Sequence, residues 1–322
     1  MTRIFCHSLV LLLLVLGAAE PPPTTPEPGP GEEARQEPPP PPSIIRDGIK
    51  YTDLEHQGSL TRKTCRSLGI TTIPIAYHGG VDFNQDGTIT PGDIEKFKAW
   101  ANRAIPRNST SLAVLDYERP WWDELNARDI TLERLDEILG VYAQGLGIAK
   151  EIRPGVLWGY WGLPTMRNVS PGWKEQGLSV TSLMLKQAAV YPGAYDCNPD
   201  QGPGEFERYV QRTLESINGQ RPVWVFINTR YCGQGGDRSK FIPIDVVLEN
   251  AEAILNARWT DEAGVAHRAA GLVLWDTYGW SDEADWGALD RHNARLFSQL
   301  HALAKHMQED EAQSRPDPPP GP

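Results

Sequence analysis

Residues 111–122 read SLAVLDYERPWW, and the reading of this stretch decides the fold. Leu112, Ala113, Val114 and Leu115 form an apolar run of strand length with no polar alternation. A run of that kind belongs to a strand buried on both faces. Working outward, similar runs recur at 70–77 (ITTIPIAY), 156–161 (VLWGYW), 223–228 (VWVFIN) and 271–278 (GLVLWDTY), with extended chain again at 189–195 (AVYPGAY). Helical spacing of apolar residues falls between them, at 92–103, 132–150, 180–188, 206–217, 244–258 and 286–306. Apolar strands that are each followed by a helix predict an α/β protein with a parallel sheet. About six such repeats within one domain's length predict a (β/α) barrel.

The barrel does not need the whole chain. Of 28 prolines in 322 residues, 11 lie in 20–43 and five in 314–322, so the excess belongs to the ends. Residues 1–19 read as a secretory signal peptide, with Arg3, an apolar run and Gly17-Ala18-Ala19. That run is too short for a membrane span, and no second one follows it. Residues 20–43 read as a Pro-rich linker, 44–308 as a single barrel domain and 309–322 as a disordered Pro-rich tail. The net charge of −11 likewise sits largely in the ends. A mildly acidic core argues against nucleic acid as a partner. The expected localisation is secreted, or periplasmic or cell-surface in a bacterium. Cys6 goes with the leader, and Cys197 and Cys232 are the favoured disulfide pair. Zinc-type Cys/His spacings are absent from the sequence.

In (β/α) barrels the chemistry sits where strands end. The residues there are Tyr77, Asp116-Tyr117-Glu118, Tyr160-Trp161, Tyr191, Phe226 and Trp275-Asp276. Aromatic faces bind sugar rings and carboxylates perform acid–base work, so this set predicts a glycosidase cleft. Asp116 and Glu118 are two apart in extended chain and share a face. Two carboxylates so close do not both ionise readily, and one becomes a general acid near neutral pH. Asp276, next to Trp275, is a third acid at the same rim.

From these residues a specific likeness emerges. LAVLDYERP resembles the catalytic strand of the hyaluronidases, glycoside hydrolase family 56. WGYWGLP (158–164), AVYPGAY, FIPIDVVLENAEAIL (241–255) and AAGLVLW (269–275) resemble further blocks of that family in the same order. The resemblance implies a distorted TIM-like barrel and retaining, substrate-assisted cleavage of a polysaccharide beside an N-acetylhexosamine, with hyaluronan or a chondroitin-like polymer as substrate. Glu118 would be the proton donor and Asp116 would orient the acetamido group. Tyr191 would hydrogen-bond near that group and Trp275 would wall the sugar subsite, with Tyr160, Trp161, Tyr195, Phe226 and Asp276 completing the binding residues. Two departures stand out: Phe226 where the family has tyrosine, and Tyr117 where it has tryptophan. The Phe226 departure supports an alternative, a non-catalytic calcium-stabilised carbohydrate-binding or surface protein on a glycosidase barrel. The chitinase pattern D-x-x-D-x-D-x-E, which needs Asp at 111 and 114, is weakened by Ser111 and Val114.

Residues 82–93 (DFNQDGTITPGD) carry the spacing of a calcium loop. Asp82, Asn84 and Asp86 stand at positions 1, 3 and 5, Gly87 at the turn, Thr88 at 7 and Asp93 at 12, and a helical pattern follows. A structural Ca2+ is expected, with no part in catalysis. The loop resembles the EF-hand and dockerin type, but it is single, which argues against a cohesin partner.

Overall fold

The computed structural model describes residues 43–197, 199, 202–232 and 240–313. The expected leader, the Pro-rich segment up to residue 42 and residues 314–322 of the tail lie outside them. In chain order the elements begin with β1 (Ile45–Asp47), α1 (Ser59–Ser67), β2 (Thr71–Thr72), β3 (Ile75–Ala76), α2 (Pro91–Ala104) and β4 (Leu112–Leu115). The middle holds α3 (Trp122–Leu125), α4 (Leu132–Ile152), β5 (Leu157–Tyr160), α5 (Pro171–Glu175), α6 (Thr181–Lys186) and α7 (Pro203–Ser216). The chain finishes with β6 (Trp224–Asn228), α8 (Ile244–Asn256), β7 (Arg258–Thr260), β8 (Ala266–Arg268), β9 (Gly271–Trp275) and α9 (Trp286–Gln313).

The named strands form two parallel sheets, in order β2-β1-β9-β6 and β3-β4-β5, beside an antiparallel β7–β8 hairpin. Pro74, which lacks a ladder N–H, interrupts the strand expected at 70–77, so it appears as β2 and β3. Parallel bridges continue past the sheet edges. Trp161 pairs with Tyr191 next to β5, while Val190 and Gly193 pair with Val223 and Phe226 at β6.

Alternation along these strands sorts the core into two clusters. Ile75, Leu112, Val114, Phe226 and Val273 belong to an inner cluster. Ala76, Ala113, Leu115, Val225, Ile227, Leu272 and Leu274, from the same strands, join the larger cluster that includes the helices. Both faces are buried, which is why the sequence shows apolar runs and no alternation. Close strand approach explains one glycine. A Cβ at Gly159 would lie 2.0 Å from the Ala189 carbonyl oxygen, so any side chain there would push the 189–193 segment off β5.

Two devices brace the strand ends. Buried Arg230, just after β6, donates from Nε to Asp276 Oδ1 at 2.9 Å, and Asp276 also accepts from Thr229. Cys197 and Cys232 are joined by a disulfide, while Cys65 is a buried free thiol. At the C-terminal end α9 continues to Gln313, past the boundary expected at 308. Lys305–Glu309 and His306–Asp310 pairs at helical spacing extend it.

The buried Arg230–Asp276 pair yields a direct prediction. Arg230→Ala or Asp276→Ala strands one charge in the interior and costs about 3–5 kcal/mol. The exposed pair Lys98–Glu95 contributes under about 1 kcal/mol, so Lys98→Ala serves as the control. Denaturant midpoints of the three variants check both figures.

Candidate active site

The inner register of β4 runs Leu112, Val114, and then, past the strand, Asp116 and Glu118. The backbone holds that extension in place. Asp116 N–H donates to the Ala76 carbonyl at 3.0 Å, Gly79 N–H donates to the Asp116 carbonyl at 3.0 Å, and Trp122 N–H donates to the Glu118 carbonyl at 2.6 Å. Both carboxylates therefore emerge at one mouth, in a cleft of about 500 Å3. Asp116 is half-buried and Glu118 is exposed to the cleft.

Aromatic rings form a continuous wall beside them. Trp122 stacks on Trp161 at 5.1 Å, Trp161 meets Tyr195 at 5.5 Å, and Tyr195 stacks on Trp275 at 5.6 Å. Trp280 closes the row, edge-on to Trp275 at 5.2 Å. Tyr77 stands behind it, its hydroxyl accepting from Trp275 Nε1 at 3.2 Å. Phe226 also lines the cleft, meeting Tyr191 edge-to-face at 6.2 Å.

Electrostatics favour a proton on the pair. Burial raises the Asp116 pKa to about 7, with Glu118 adding to the rise and Lys50 opposing it. Burial also raises the Glu118 pKa, against the pull of Arg119. Asp116 lines the cleft, and its Oδ1 is buried without a hydrogen-bond partner.

Three expected site residues lie elsewhere. Tyr160 falls on the outer parity of β5, where its hydroxyl donates to the Tyr142 carbonyl at 2.8 Å in the helix-side core. Asp276 also falls on the outer parity, with Leu274, and is consumed by Arg230. Tyr191 is on the inner side, but its hydroxyl donates down to the Leu157 carbonyl at 2.7 Å, away from the mouth. Conversely, the expected set lacks Trp122 and Trp280. Trp122 opens α3 beyond the Arg119-Pro120 turn and Trp280 sits in a short turn, so neither has a strand period to read.

The loop at 82–93 is joined to this site through Tyr117. Its hydroxyl donates to buried Asp82 Oδ2 at 2.6 Å and accepts from Trp121 Nε1 at 3.0 Å. Asp82 also accepts from Gly87 N–H at 2.8 Å and Gln85 N–H at 3.1 Å. Gly87, at φ 87°, packs against the Trp121 ring, which leaves no room for a Cβ. Asp86 accepts from Thr88 N–H and Asn84 Nδ2 at 2.8 and 2.9 Å. Asp93 is committed to a capping box with Thr90 at the start of α2. The loop thus matches a calcium site in spacing and turn, while its carboxylates are satisfied by the chain's own donors. Among the described residues no three His, Cys, Asp or Glu side chains converge as metal ligands.

With this geometry in view, the class is an α/β protein of hyaluronidase-like fold, and the solved structures that superpose on the chain include those of one venom enzyme. The monoclinic crystal structure of bee venom hyaluronidase aligns at TM-score 0.59 and 14% identity, covering 81% of this chain and 99% of that one. The crystal structure of bee venom hyaluronidase in complex with a hyaluronic acid tetramer aligns at TM-score 0.54 and 14% identity, covering 80% and 98%. No protein-family model and no curated protein matches the chain.

Two measurements probe the site without assuming an activity. Tyr117→Phe removes a donor from the buried Asp82 carboxylate and is expected to cost about 1–3 kcal/mol in a denaturant titration. Asp116 offers a pH test. Its carboxyl holds its proton more tightly folded than unfolded, so its stabilising contribution is complete below about pH 4 and is lost as pH rises to about 7. The amide of the Asp116→Asn variant does not titrate and escapes that loss. The melting-temperature advantage of Asp116→Asn over the wild type should therefore open between about pH 4 and about pH 7 and stay constant above.

Proposed function

We propose that the protein is a secreted glycosidase that cleaves a polysaccharide beside an N-acetylhexosamine, with retention and with the substrate's own acetamido group as nucleophile. The single observation that carries this reading is the placement of Asp116 and Glu118 on one register at the mouth, under a wall of five touching aromatic rings. The two parallel sheets, linked through the bridges beside β5 and β6, fit a distorted TIM-like barrel with this mouth at its C-terminal end. The disulfide fits an oxidising, extracellular setting.

Glu118, facing the open cleft, is the group that reaches a leaving-group oxygen. Asp116, which lines the cleft, accepts the acetamido N–H and orients its carbonyl oxygen toward the anomeric carbon. That hydrogen bond favours the ionised form of Asp116 and so leaves the pair's shared proton on Glu118. Substrate assistance removes the need for a second carboxylate to attack directly. The aromatic wall holds the sugar faces. Tyr191 and Tyr160 act as packing residues in this reading, and Asp276 as a structural anion.

The test is reducing-end release by the purified protein from N-acetylhexosamine polymers, hyaluronan and chondroitin among them. Glu118→Gln should lower turnover by about a hundredfold or more, since it removes the acid. Equal release by both forms would remove the assignment. Phe226 favours a second reading, a carbohydrate-binding protein, because it brings no hydroxyl to the cleft. Oligosaccharide binding by calorimetry with no turnover in the wild type would establish that reading.

For the loop, the motif spacing supports a structural calcium held by Asp82, Asn84, Asp86 and the Thr88 carbonyl, with Asp93 released from its cap. A chelator should then lower the wild-type melting temperature, and Asp82→Ala should abolish the difference. An unchanged wild-type melting curve would sink the proposal.

A further inference from the structure

Charge around the cleft separates the polymers that the proposed glycosidase could accept. Among the described residues lining the cleft, the ionisable side chains with charge to offer are Asp116 and Glu118, and none is a lysine or arginine. The rest of the lining is aromatic, apolar or small. Two cations act on the acid pair from outside this lining. Lys50 lies over the Tyr77 ring at 4.1 Å and acts on Asp116, while Arg119 acts on Glu118.

The surface beyond the cleft continues the same way. Trp280, exposed at the rim, is shared with a second hollow of about 440 Å3, whose lining includes Phe241, Asp282 and Asp285. Asp282 and Asp285 are both exposed. The one arginine of that hollow, Arg230, is buried and neutralised by Asp276. Among the described residues, a chain leaving the cleft over Trp280 therefore meets an aromatic platform and acids.

We infer that this site is built for an uncharged N-acetylhexosamine polymer and discriminates against polymers bearing a uronate on alternate sugars. A uronate seated in this cleft or in the adjoining hollow would lose water beside like charges and find no free cation among the described lining residues. Like-charge juxtaposition of this sort costs enough to decide between substrates. An acetamido group, by contrast, brings no charge to the Asp116 carboxylate and can donate to it, and the flat sugar faces meet the tryptophans. The inference rests on the glycosidase reading above and narrows its substrate.

The experiment compares the full-length protein on N-acetylglucosamine hexamer and on a hyaluronan hexasaccharide of equal length, with Glu118→Gln as blank. The expected kcat/KM is at least about tenfold higher on the neutral hexamer. That ratio should shrink in about 0.5 M salt, where exposed charges are screened. Asp282→Lys with Asp285→Lys should raise hyaluronan turnover relative to the neutral substrate. Equal or faster cleavage of hyaluronan overturns the inference and leaves the glycosidase reading standing. A preference unchanged by salt and by the lysine substitutions overturns its electrostatic basis. Turnover of neither substrate above the Glu118→Gln blank overturns the glycosidase reading itself, and the inference falls with it.

Discussion

Everything in this molecule depends on strand parity. Successive side chains point to opposite faces, and here both faces are buried, so odd and even positions enter different environments. In β4, Leu112 and Val114 fill the inner cluster while Ala113 and Leu115 face the helices. The same count, carried two and four residues past Val114, delivers Asp116 and Glu118 to the mouth. One residue of slip would send both carboxylates into the helix-side core and bring Tyr117 inside. The parallel pairing of β4 between β3 and β5 forbids that slip, so the apolar register also fixes where the acids stand.

The acids are kept in an environment that does not suit them as charges. Burial lifts both pKa values, and the chain supplies no hydrogen bond to Asp116 Oδ1. A folded protein tolerates such a group when the surrounding packing over-determines it, and functional sites are where this occurs. The support here comes from the backbone bonds at Asp116 and Glu118, from the stacked wall, and from Tyr117, which faces outward and anchors the segment to the 82–93 loop. The outer face of the segment thus holds what the inner face exposes.

Much of this is readable in the sequence, and the misses have physical causes. Apolar runs alternating with helical periods locate the parallel strands and the helices between them. The D-x-E pair is legible because spacing of two is preserved in extended chain. Position along a strand, read without parity, puts Tyr160 and Asp276 at the rim, and counting from Trp161 and Trp275 separates them at once. Tyr191 has the right parity, and only its tilt toward the Leu157 carbonyl removes it, which no pattern encodes. β1, α1 and the β7–β8 hairpin are short or polar, and their signals are too weak to read. The calcium spacing is real as a pattern, but a sequence does not show that Tyr117 donates to its first carboxylate.

That last contact binds two distant positions into one unit of inheritance. Asp82 and Tyr117 are 35 residues apart, yet a hydroxyl at one answers a buried carboxylate at the other. Exchanging either alone lowers stability, because each residue's contribution is conditional on its partner. Wherever tyrosine is retained at this strand position, the aspartate of the loop should be retained with it. Tryptophan at 117 would leave Asp82 without this hydroxyl donor. The Tyr117–Asp82 bond therefore couples the loop and the acid-bearing segment under substitution.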